Sequence, residues 1–254
     1  SGEGNSRVDI SLPKGQMELV RQVCAANSNT AALLFCGRPL TIVELNEICP
    51  SILCMWQPGT SGGRAAASLI FGDSVPAGKL TMTWPRAVGQ CPLYYNYTST
   101  GRPCWGREVQ KKRSMTSNYI DEFTYPLYSF GYGLSYTTFE YSDATISSDT
   151  MKRGESLTVK VKVKNTGNYD ADETVLLYIK DRFGSVIRPV KELKDYEKIH
   201  LLKGEEKIVE FTITEEMLSF IRRDMTFGAE AGEFVAVIGN SGQQSMAMNF
   251  WLED

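Results

Sequence analysis

The 254-residue chain is 42% hydrophobic and 22% charged, with a formal net charge of −3. This composition excludes an intrinsically disordered tail, and the length allows one large domain or two ordinary ones with their own cores. No apolar run approaches the roughly 18 residues of a membrane helix. The 27 basic and 30 acidic side chains also exclude the basic field of a nucleic-acid-binding protein. Neither a membrane nor a nucleic acid is therefore expected as a partner.

The start of the chain and its single histidine exclude further classes. The first residues, Ser-Gly-Glu-Gly, lack the basic and then apolar pattern of a signal peptide, so an export signal is expected only outside these residues. His200 falls within a predicted strand, between Ile199 and Leu201, where we expect a surface or packing role. One histidine gives little support to a histidine-containing triad or a histidine-ligated metal cluster.

The cysteines all lie in the first 104 residues: Cys24, Cys36, Cys49, Cys54, Cys91 and Cys104. None forms the close C-x-x-C pair of a zinc ribbon, so neither a metal nor a cofactor is predicted. Cys24, Cys36 and Cys54 lie in apolar stretches, where a buried thiol behaves as a small hydrophobic side chain. Disulfides remain an alternative if the protein is exported.

The charge distribution changes near residue 138. Residues 1–138 carry 12 basic and 9 acidic side chains, whereas residues 139–254 carry 15 and 21. Together with a change in hydrophobic pattern at the same place, this predicts two domains, 1–138 and 139–254.

The first half alternates between helix and strand patterns. A helical spacing in GQMELVRQVCAA is followed by two short continuous apolar runs, 30–36 and 51–56, which are typical of strands covered on both faces. Residues 42–48 and 64–72 are predicted helices, the second closed by Gly72. This order predicts an α/β layer in which the two apolar runs are adjacent parallel strands. Two parallel strands are not a stable sheet, so further strands are expected from elsewhere.

Residues 73–138 form a long irregular stretch rich in Pro, Gly and aromatic residues, including GQCPLYYNYTSTGRPCW and YPLYSFGYGLSYTTF. Loops of this length inside compact proteins usually serve a function or wrap a neighbouring element. The aromatic side chains could stack on sugar rings or pack the loop onto its own scaffold. For any single side chain, packing is favoured.

The second half has the pattern of an all-β sandwich. Strict alternation in SLTVKVKVKNTG (156–167) predicts a half-buried antiparallel strand, with Leu157, Val159, Val161 and Val163 on its buried face. The segments 174–181, 191–201, 206–213 and 232–241 repeat this rhythm. About seven short strands in about 115 residues predict an immunoglobulin-like sandwich.

Several motifs resemble the C-terminal half of glycoside hydrolase family 3, including bacterial periplasmic β-glucosidases. They are WQPGTSGGRAAASLIFGDSVPAGKLTMTWPRAVGQCPLYY (56–95), TGRPCW (100–105) and YSFGYGLSYTTFEYS (128–142), preceded by GEGNSRVDISLPKGQ and CGRPL. RPVKELKDYEKIHLLKGEEKIVEFTI resembles the family's fibronectin type III-like domain. The resemblance covers essentially the whole chain.

The resemblance implies an architecture and a location. Residues 1–138 would be the C-terminal portion of the family's α/β sandwich domain, and residues 139–254 the fibronectin III-like sandwich. An N-terminal (β/α)8 barrel carrying an aspartate nucleophile would lie outside these residues. The protein would be periplasmic or secreted and would hydrolyse terminal β-linked sugars with retention, as an exo-acting enzyme. Which sugar it cleaves is not predicted, since β-glucosides, β-xylosides and N-acetylglucosaminides are all substrates within the family.

The resemblance also implies one catalytic residue. In the family a general acid/base glutamate shortly precedes an arginine and a Leu-Pro-x-x-Gln helix start. Glu3, followed by Arg7 and then by Leu12-Pro13-Lys14-Gly15-Gln16, matches that position. Arg7 could hold the loop through a carboxylate. A retaining glycosidase needs two carboxyl groups about 5–5.5 Å apart. Because the nucleophile has no counterpart here, the isolated chain is predicted to be inactive.

Three interpretations of the function remain. The chain is a piece of a β-glucosidase-like enzyme, or an enzyme half completed by a separately encoded barrel, or a non-catalytic module that binds a carbohydrate or a protein partner through its aromatic loop. The glutamate motif in register favours the first two, because a binding module would not need it.

Overall fold

A computed structural model describes residues 4–99, 101, 117–240 and 245–254. They belong to two compact units. The first comprises the described residues of Ser1–Ser74, Met82–Leu93 and Cys104–Ser129, and the second those of Val75–Thr81, Tyr94–Pro103 and Phe130–Asp254. The domain division at residue 138 stays a prediction. Within the described part of the chain, no helix has the length and apolar character needed to cross a bilayer.

The first unit is an α/β layer. Its elements in chain order are α1 (Lys14–Ala26), β1 (Ala31–Leu34), α2 (Val43–Ile48), β2 (Ser51–Cys54) and α3 (Gly62–Ile70). The two strands pair in parallel, with Ala31 opposite Ser51 and Leu34 opposite Cys54. The predicted adjacent parallel strands are thereby confirmed.

The burial of these strands differs from the prediction. Of the eight residues in β1 and β2, only Leu34 is buried. Apolar runs predict strands covered on both faces, but three short helices do not cover a pair of four-residue strands in this way. The sequence pattern therefore predicts more complete burial of these two strands than the structure of this unit shows.

The helix ends follow local chemistry. The Pro13 carbonyl accepts hydrogen bonds from the backbone N–H groups of Gln16 (2.9 Å) and Met17 (3.1 Å), so a proline is well placed just before α1. At the other end of the layer, Gly72 has a φ of +82°, a left-handed conformation that costs glycine little. The predicted closure of the third helix at this glycine is confirmed.

The second unit is a β-sandwich. A three-stranded sheet has the order β3-β5-β8, a five-stranded sheet has the order β4-β12-β11-β6-β7, and β9 and β10 pair separately. The bounds are β3 (Phe139–Ile146), β4 (Thr150–Lys152), β5 (Ser156–Asn165), β6 (Ala171–Asp181), β7 (Glu192–Leu201), β8 (Glu206–Thr214), α4 (Glu215–Leu218), β9 (Phe220–Ile221), β10 (Phe227–Gly228), β11 (Gly232–Gly239) and β12 (Ser245–Glu253).

The alternation predicted for β5 is confirmed, since its four apolar side chains lie in the core between the sheets. On the opposite face, lysines of β5 form cross-strand ion pairs. Lys160 Nζ lies 2.7 Å from Glu210, and Lys162 Nζ lies 2.8 Å from Asp143. One face of this strand therefore faces the core and the other is charged.

Strand β6, which lies between β11 and β7, departs from simple alternation. Five consecutive residues of this strand, Val175–Ile179, are all buried. Tyr95 covers the outer side of the strand, with its ring centroid 6.0 Å from that of Tyr178, and its hydroxyl accepts a hydrogen bond from the backbone N–H of Leu193 (3.2 Å). The Lys191 ammonium lies 4.3 Å from the Tyr178 ring centroid. Part of the aromatic stretch thus packs on the sandwich, as favoured from the sequence.

A buried ion pair connects β6 to two segments that precede the sandwich strands. Glu173 is 1% exposed, and its Oε2 lies 2.8 Å from Lys79 Nζ. Its Oε1 accepts a hydrogen bond from the Tyr141 hydroxyl (2.9 Å). Burial raises the pKa of the Tyr141 hydroxyl, and the neighbouring Glu173 charge raises it further. The Lys79 ammonium also donates to the Gly133 carbonyl (3.1 Å). A Cβ on Gly133 would lie 2.4 Å from the Gly78 carbonyl oxygen, so this close approach requires glycine.

We expect Lys79→Met to lower the free energy of unfolding by about 3–5 kcal/mol, because it leaves a buried carboxylate without its counterion. Urea unfolding at pH 7 measures the change. The matched control is Lys160→Met, which removes an exposed pair and should cost less than about 1 kcal/mol. Lys79→Met combined with Glu173→Gln should recover part of the loss. Equal costs for the two single variants would contradict the importance of the buried pair.

Candidate active-site edge

The carboxyl ends of parallel strands are where α/β sheets bind ligands. In the first unit this edge comprises residues 35–41, which follow β1, and residues 55–62, which follow β2; we call it the carboxyl edge. The two loops are in close contact, since a Cβ on Gly37 would lie 3.1 Å from Gln57 Nε2. Loops this close can present side chains to one ligand.

Trp56 adopts an unusual conformation at this edge. Its φ is +49°, a left-handed value that costs energy for a residue with a large side chain. Its ring packs edge-on against Trp84, with centroids 5.8 Å apart, and Trp84 in turn lies 6.2 Å from the Tyr128 ring. Trp84 is only 1% exposed. The aromatic cluster therefore holds Trp56 in its strained conformation.

The loop that carries Trp84 is held to a second loop by main-chain and side-chain contacts. The Trp84 N–H donates to the Tyr128 carbonyl (2.8 Å), and the Leu127 N–H donates to the Trp84 carbonyl (2.9 Å). The Tyr128 hydroxyl donates to Asn46 Oδ1 on α2. These contacts connect the aromatic cluster to the α/β layer.

Arg86 organises the same pair of loops. Its guanidinium donates to Glu122 Oε1 (2.8 Å) and lies 4.8 Å from the Phe123 ring centroid. The buried Gln90 side chain accepts from the Arg86 N–H (2.6 Å) and donates to the Phe123 carbonyl (2.8 Å). Arg86, Glu122 and Gln90 all bond within the two loops, so the cluster acts as a structural support of the aromatic side chains.

The segment that follows Glu3 is attached directly to the carboxyl edge. The Thr41 N–H donates to the Ile10 carbonyl (3.0 Å), and Ser11 pairs with Thr41 in a parallel bridge. The Arg38 guanidinium donates to the Arg7 carbonyl. Residues 7–11 therefore lie beside the loop that follows β1.

Arg7 itself is exposed and makes an ion pair within its own segment. Its Nη2 lies 3.8 Å from Asp9 Oδ2. The Asp9 carboxylate accepts a hydrogen bond from the Ser11 N–H (2.8 Å), and hydrogen bonding to Ser11 lowers the pKa of Asp9. Glu3 lies outside the described residues, so the structure does not place its side chain.

A general acid of a glycosidase needs a raised pKa. In the first unit, the described carboxyl groups with a resolved shift all move in the other direction. Hydrogen bonds from Gln22 and from Arg21 lower the pKa of Glu18 and Glu44 respectively. Burial alone would raise the pKa of Glu122, but hydrogen bonds from the Phe123 N–H and from Arg86 outweigh it and lower that pKa. These groups, like Asp9, are suited to ion pairing and not to proton donation.

Comparison with known proteins establishes the family. The model of the glycosyl hydrolase family 3 C-terminal domain matches residues 1–136, and that of the fibronectin type III-like domain matches residues 173–242. The chain belongs to glycoside hydrolase family 3, of which it carries the C-terminal domain. The predicted fold class, an α/β layer followed by an all-β fibronectin III-like sandwich, is confirmed.

Individual relatives agree with this assignment. The chain is 44% identical over 237 residues to the periplasmic beta-glucosidase of Salmonella typhimurium and covers 31% of that protein, using 93% of its own length. It is 40% identical over 247 residues to a putative beta-xylosidase of Formosa agariphila, covering 97% of this chain and 31% of the relative. The chain thus spans about a third of the length of these relatives.

Solved structures show the same relation. A beta-glucosidase from Listeria innocua in complex with glucose matches with a TM-score of 0.94 and 37% identity, over 100% of this chain and 35% of that one. A beta-glucosidase from Erythrobacter marinus matches with a TM-score of 0.89 and 36% identity, over 100% of this chain and 32% of the other.

Some features of this edge are evident from the sequence and others are not. The motif that begins at Trp56 was found by resemblance, but the contact between Gly37 and Gln57 was not. The role of Arg86 was also missed, because its partners Glu122 and Phe123 lie far along the chain. The one available signal was the aromatic composition of residues 73–138.

We expect the stabilising effect of Glu122 to depend on pH. Because its pKa is lowered below the ordinary value of 4.5 in the fold, its contribution is complete above about pH 4.5 and is lost as the pH falls through the lowered value. Glu122→Gln should reduce the free energy of unfolding by about 1 kcal/mol at pH 7, and this difference should shrink toward pH 3. Urea unfolding at several pH values measures it. The exposed Glu47→Gln serves as control, and a difference that grew at low pH would contradict the expectation.

Proposed function

We propose that this chain is the C-terminal part of a retaining, exo-acting β-glycosidase of the β-glucosidase type, in which Glu3 is the general acid/base. The observation that carries the proposal is the attachment of residues 7–11 to the carboxyl edge. Four residues after Glu3, the chain is already fixed beside the loop that follows β1. This attachment supports the proposal, because that edge is where α/β sheets bind their ligands.

The chemistry explains why this glutamate needs a partner from outside these residues. A retaining glycosidase uses one carboxylate to attack the anomeric carbon and a second carboxyl group to protonate the leaving oxygen. The second group then acts as a base for the water that hydrolyses the glycosyl-enzyme. The proposed nucleophile is an aspartate of an N-terminal (β/α)8 barrel, supplied either by the same polypeptide or by a separate chain. Closing the two parts together would exclude water from Glu3 and raise its pKa, as an acid catalyst requires.

Two features of the relatives extend the proposal. Names such as periplasmic beta-glucosidase and beta-xylosidase favour a β-linked terminal glucose or xylose as the sugar released. The first of these names also favours a periplasmic or secreted location. The reaction proposed uses carboxyl groups alone and requires no cofactor.

We expect the purified 254-residue chain to release no nitrophenol from aryl β-glucosides or β-xylosides. One carboxyl group cannot both form and hydrolyse a glycosyl-enzyme intermediate. The same chain extended through its barrel, or mixed with a separately encoded barrel chain, should be active in the same assay. Measurable turnover by the 254-residue chain alone would contradict the two-part site.

In the complete enzyme, Glu3→Ala should slow substrates with poor leaving groups by about 10²–10⁴-fold, because only those need protonation as they depart. The rate on activated aryl glycosides should fall much less. Added azide should raise the rate of the variant on these substrates, because azide attacks the glycosyl-enzyme without the general base that water needs. Rates across a series of aryl leaving groups measure this.

Asp9→Asn is the matched control, since Asp9 lies on the same segment and its pKa is lowered by hydrogen bonding to Ser11. It should affect good and poor leaving groups equally. Equal losses with Glu3→Ala, without azide rescue, would remove Glu3 from the acid/base role.

A second candidate function rests on two exposed aromatic side chains. Tyr94 and Tyr97 are 64% and 61% exposed, so they could stack on sugar rings of a polysaccharide. Binding of the 254-residue chain to a soluble β-glucan, lost in Tyr94→Ala combined with Tyr97→Ala, would favour a non-catalytic carbohydrate-binding module. The same tyrosines could instead bind a protein partner. Capture of a partner protein by the 254-residue chain, without binding to the glucan, would favour that interpretation.

A further inference from the structure

Two cysteines lie at the carboxyl edge, one after each parallel strand. Cys54 is the last residue of β2 and pairs with Leu34, the last residue of β1. Cys36 follows Leu34 by two residues, and the Met55 N–H donates to the Leu34 carbonyl (2.9 Å), which holds the two strand ends together. The Cys36 and Cys54 thiols lie close enough for each to shift the pKa of the other. Both thiols are free and half-buried.

The two thiols have similar surroundings. Burial raises the pKa of both, and it raises that of Cys36 to about 11, with the neighbouring Cys54 adding to the effect. A backbone N–H opposes the rise at each thiol, that of Arg38 at Cys36 and that of Trp56 at Cys54. Because burial disfavours both thiolates, we expect oxidation to be slow at neutral pH and to accelerate as the pH rises.

We propose that Cys36 and Cys54 form a redox-active dithiol, a modification site in which oxidation by a small disulfide such as oxidised glutathione crosslinks the carboxyl ends of β1 and β2. This inference concerns the α/β layer alone and does not depend on the proposed glycosidase activity.

The chemistry takes two steps. The thiolate of one cysteine attacks one sulfur of glutathione disulfide, forming a mixed disulfide and releasing one glutathione thiolate. The thiolate of the other cysteine then attacks the protein sulfur of the mixed disulfide and releases the second glutathione. The protein dithiol loses two electrons and two protons, and the glutathione disulfide gains them as two thiols.

The link would act where the loops of the candidate active-site edge begin. Cys36 directly precedes Gly37, and Cys54 lies two residues before the strained Trp56. A covalent bond between the strand ends would restrict both loops and would close a ring that includes α2. Oxidation would therefore restrict the two loops of the edge.

A second pair of cysteines provides an internal comparison. Cys24, at the end of α1, is hydrogen-bonded to Cys49, which follows α2. The Cys49 thiol is buried and donates to the Ser51 carbonyl (3.2 Å). Because that thiol is less accessible and already has a backbone acceptor, we expect it to react more slowly than the edge pair.

The test uses the 254-residue chain with Cys91→Ser and Cys104→Ser, which removes the two cysteines outside these pairs. After incubation with oxidised glutathione, free thiols are alkylated and the protein is digested for peptide mass mapping. We expect a peptide that joins residues 36 and 54, a loss of two alkylated sites and an intact mass lower by about 2 Da. The rate should rise about tenfold per pH unit between pH 7 and 8, following the thiolate fraction.

Single variants identify the roles of the two thiols. Cys36→Ser should stop at a mixed glutathione disulfide on Cys54, and Cys54→Ser at one on Cys36, with no crosslink in either variant. Cys24→Ser should leave the edge crosslink unchanged. A crosslink of Cys24 to Cys49 in place of the edge pair would overturn the proposal, as would complete alkylation of Cys36 and Cys54 after prolonged oxidation. Because the mapping is done on the chain with all four paired cysteines, poor folding of a single variant leaves the test intact.

Discussion

The buried ion pair between Lys79 and Glu173 is the contact on which the sandwich unit depends. Removing two charges from water costs several kcal/mol per ion, and the attraction within the pair offsets this cost only with good geometry and additional hydrogen bonds. Here the Tyr141 hydroxyl donates to Glu173, and Lys79 donates to the Gly133 carbonyl. The pair therefore requires β6, β3 and the segments around residues 79 and 133 to be in place together, which makes the irregular segments an integral part of the sandwich.

The first unit follows a different constraint, since its geometry is set by a short parallel strand pair. Parallel strands bring their carboxyl ends to the same edge, so the residues after β1 and β2 meet although α2 separates them in the chain. Segment 7–11, the strained Trp56 and the Cys36–Cys54 pair all lie at this edge. Under the proposed function its chemistry requires a second carboxyl group from outside these residues, because glycoside hydrolysis with retention divides attack and protonation between two residues.

The aromatic residues of the long irregular stretch serve two distinct purposes. Trp84 and Tyr128 support the carboxyl edge, while Tyr95 covers the outer face of β6. Tyr94, although adjacent to Tyr95, is exposed. Neighbouring aromatic residues in the same loop thus divide between packing and surface.

The sequence by itself determined the features that depend on local periodicity. Alternation identified the buried face of β5, continuous apolar runs identified β1 and β2 as parallel strands, and the extended motifs identified the family. These signals suffice because side-chain direction in a strand repeats every two residues and the motifs are contiguous.

Only the tertiary structure decided which distant residues meet. Neither the pairing of Lys79 with Glu173 nor the proximity of Cys36 to Cys54 follows from spacing, since the two cysteines lie 18 residues apart in the chain. The five-residue burial in β6 likewise depends on Tyr95, and the partial exposure of β1 and β2 depends on how little their helices cover. Each of these features is a contact between segments remote in sequence, and sequence periodicity describes only the relation of a residue to its near neighbours.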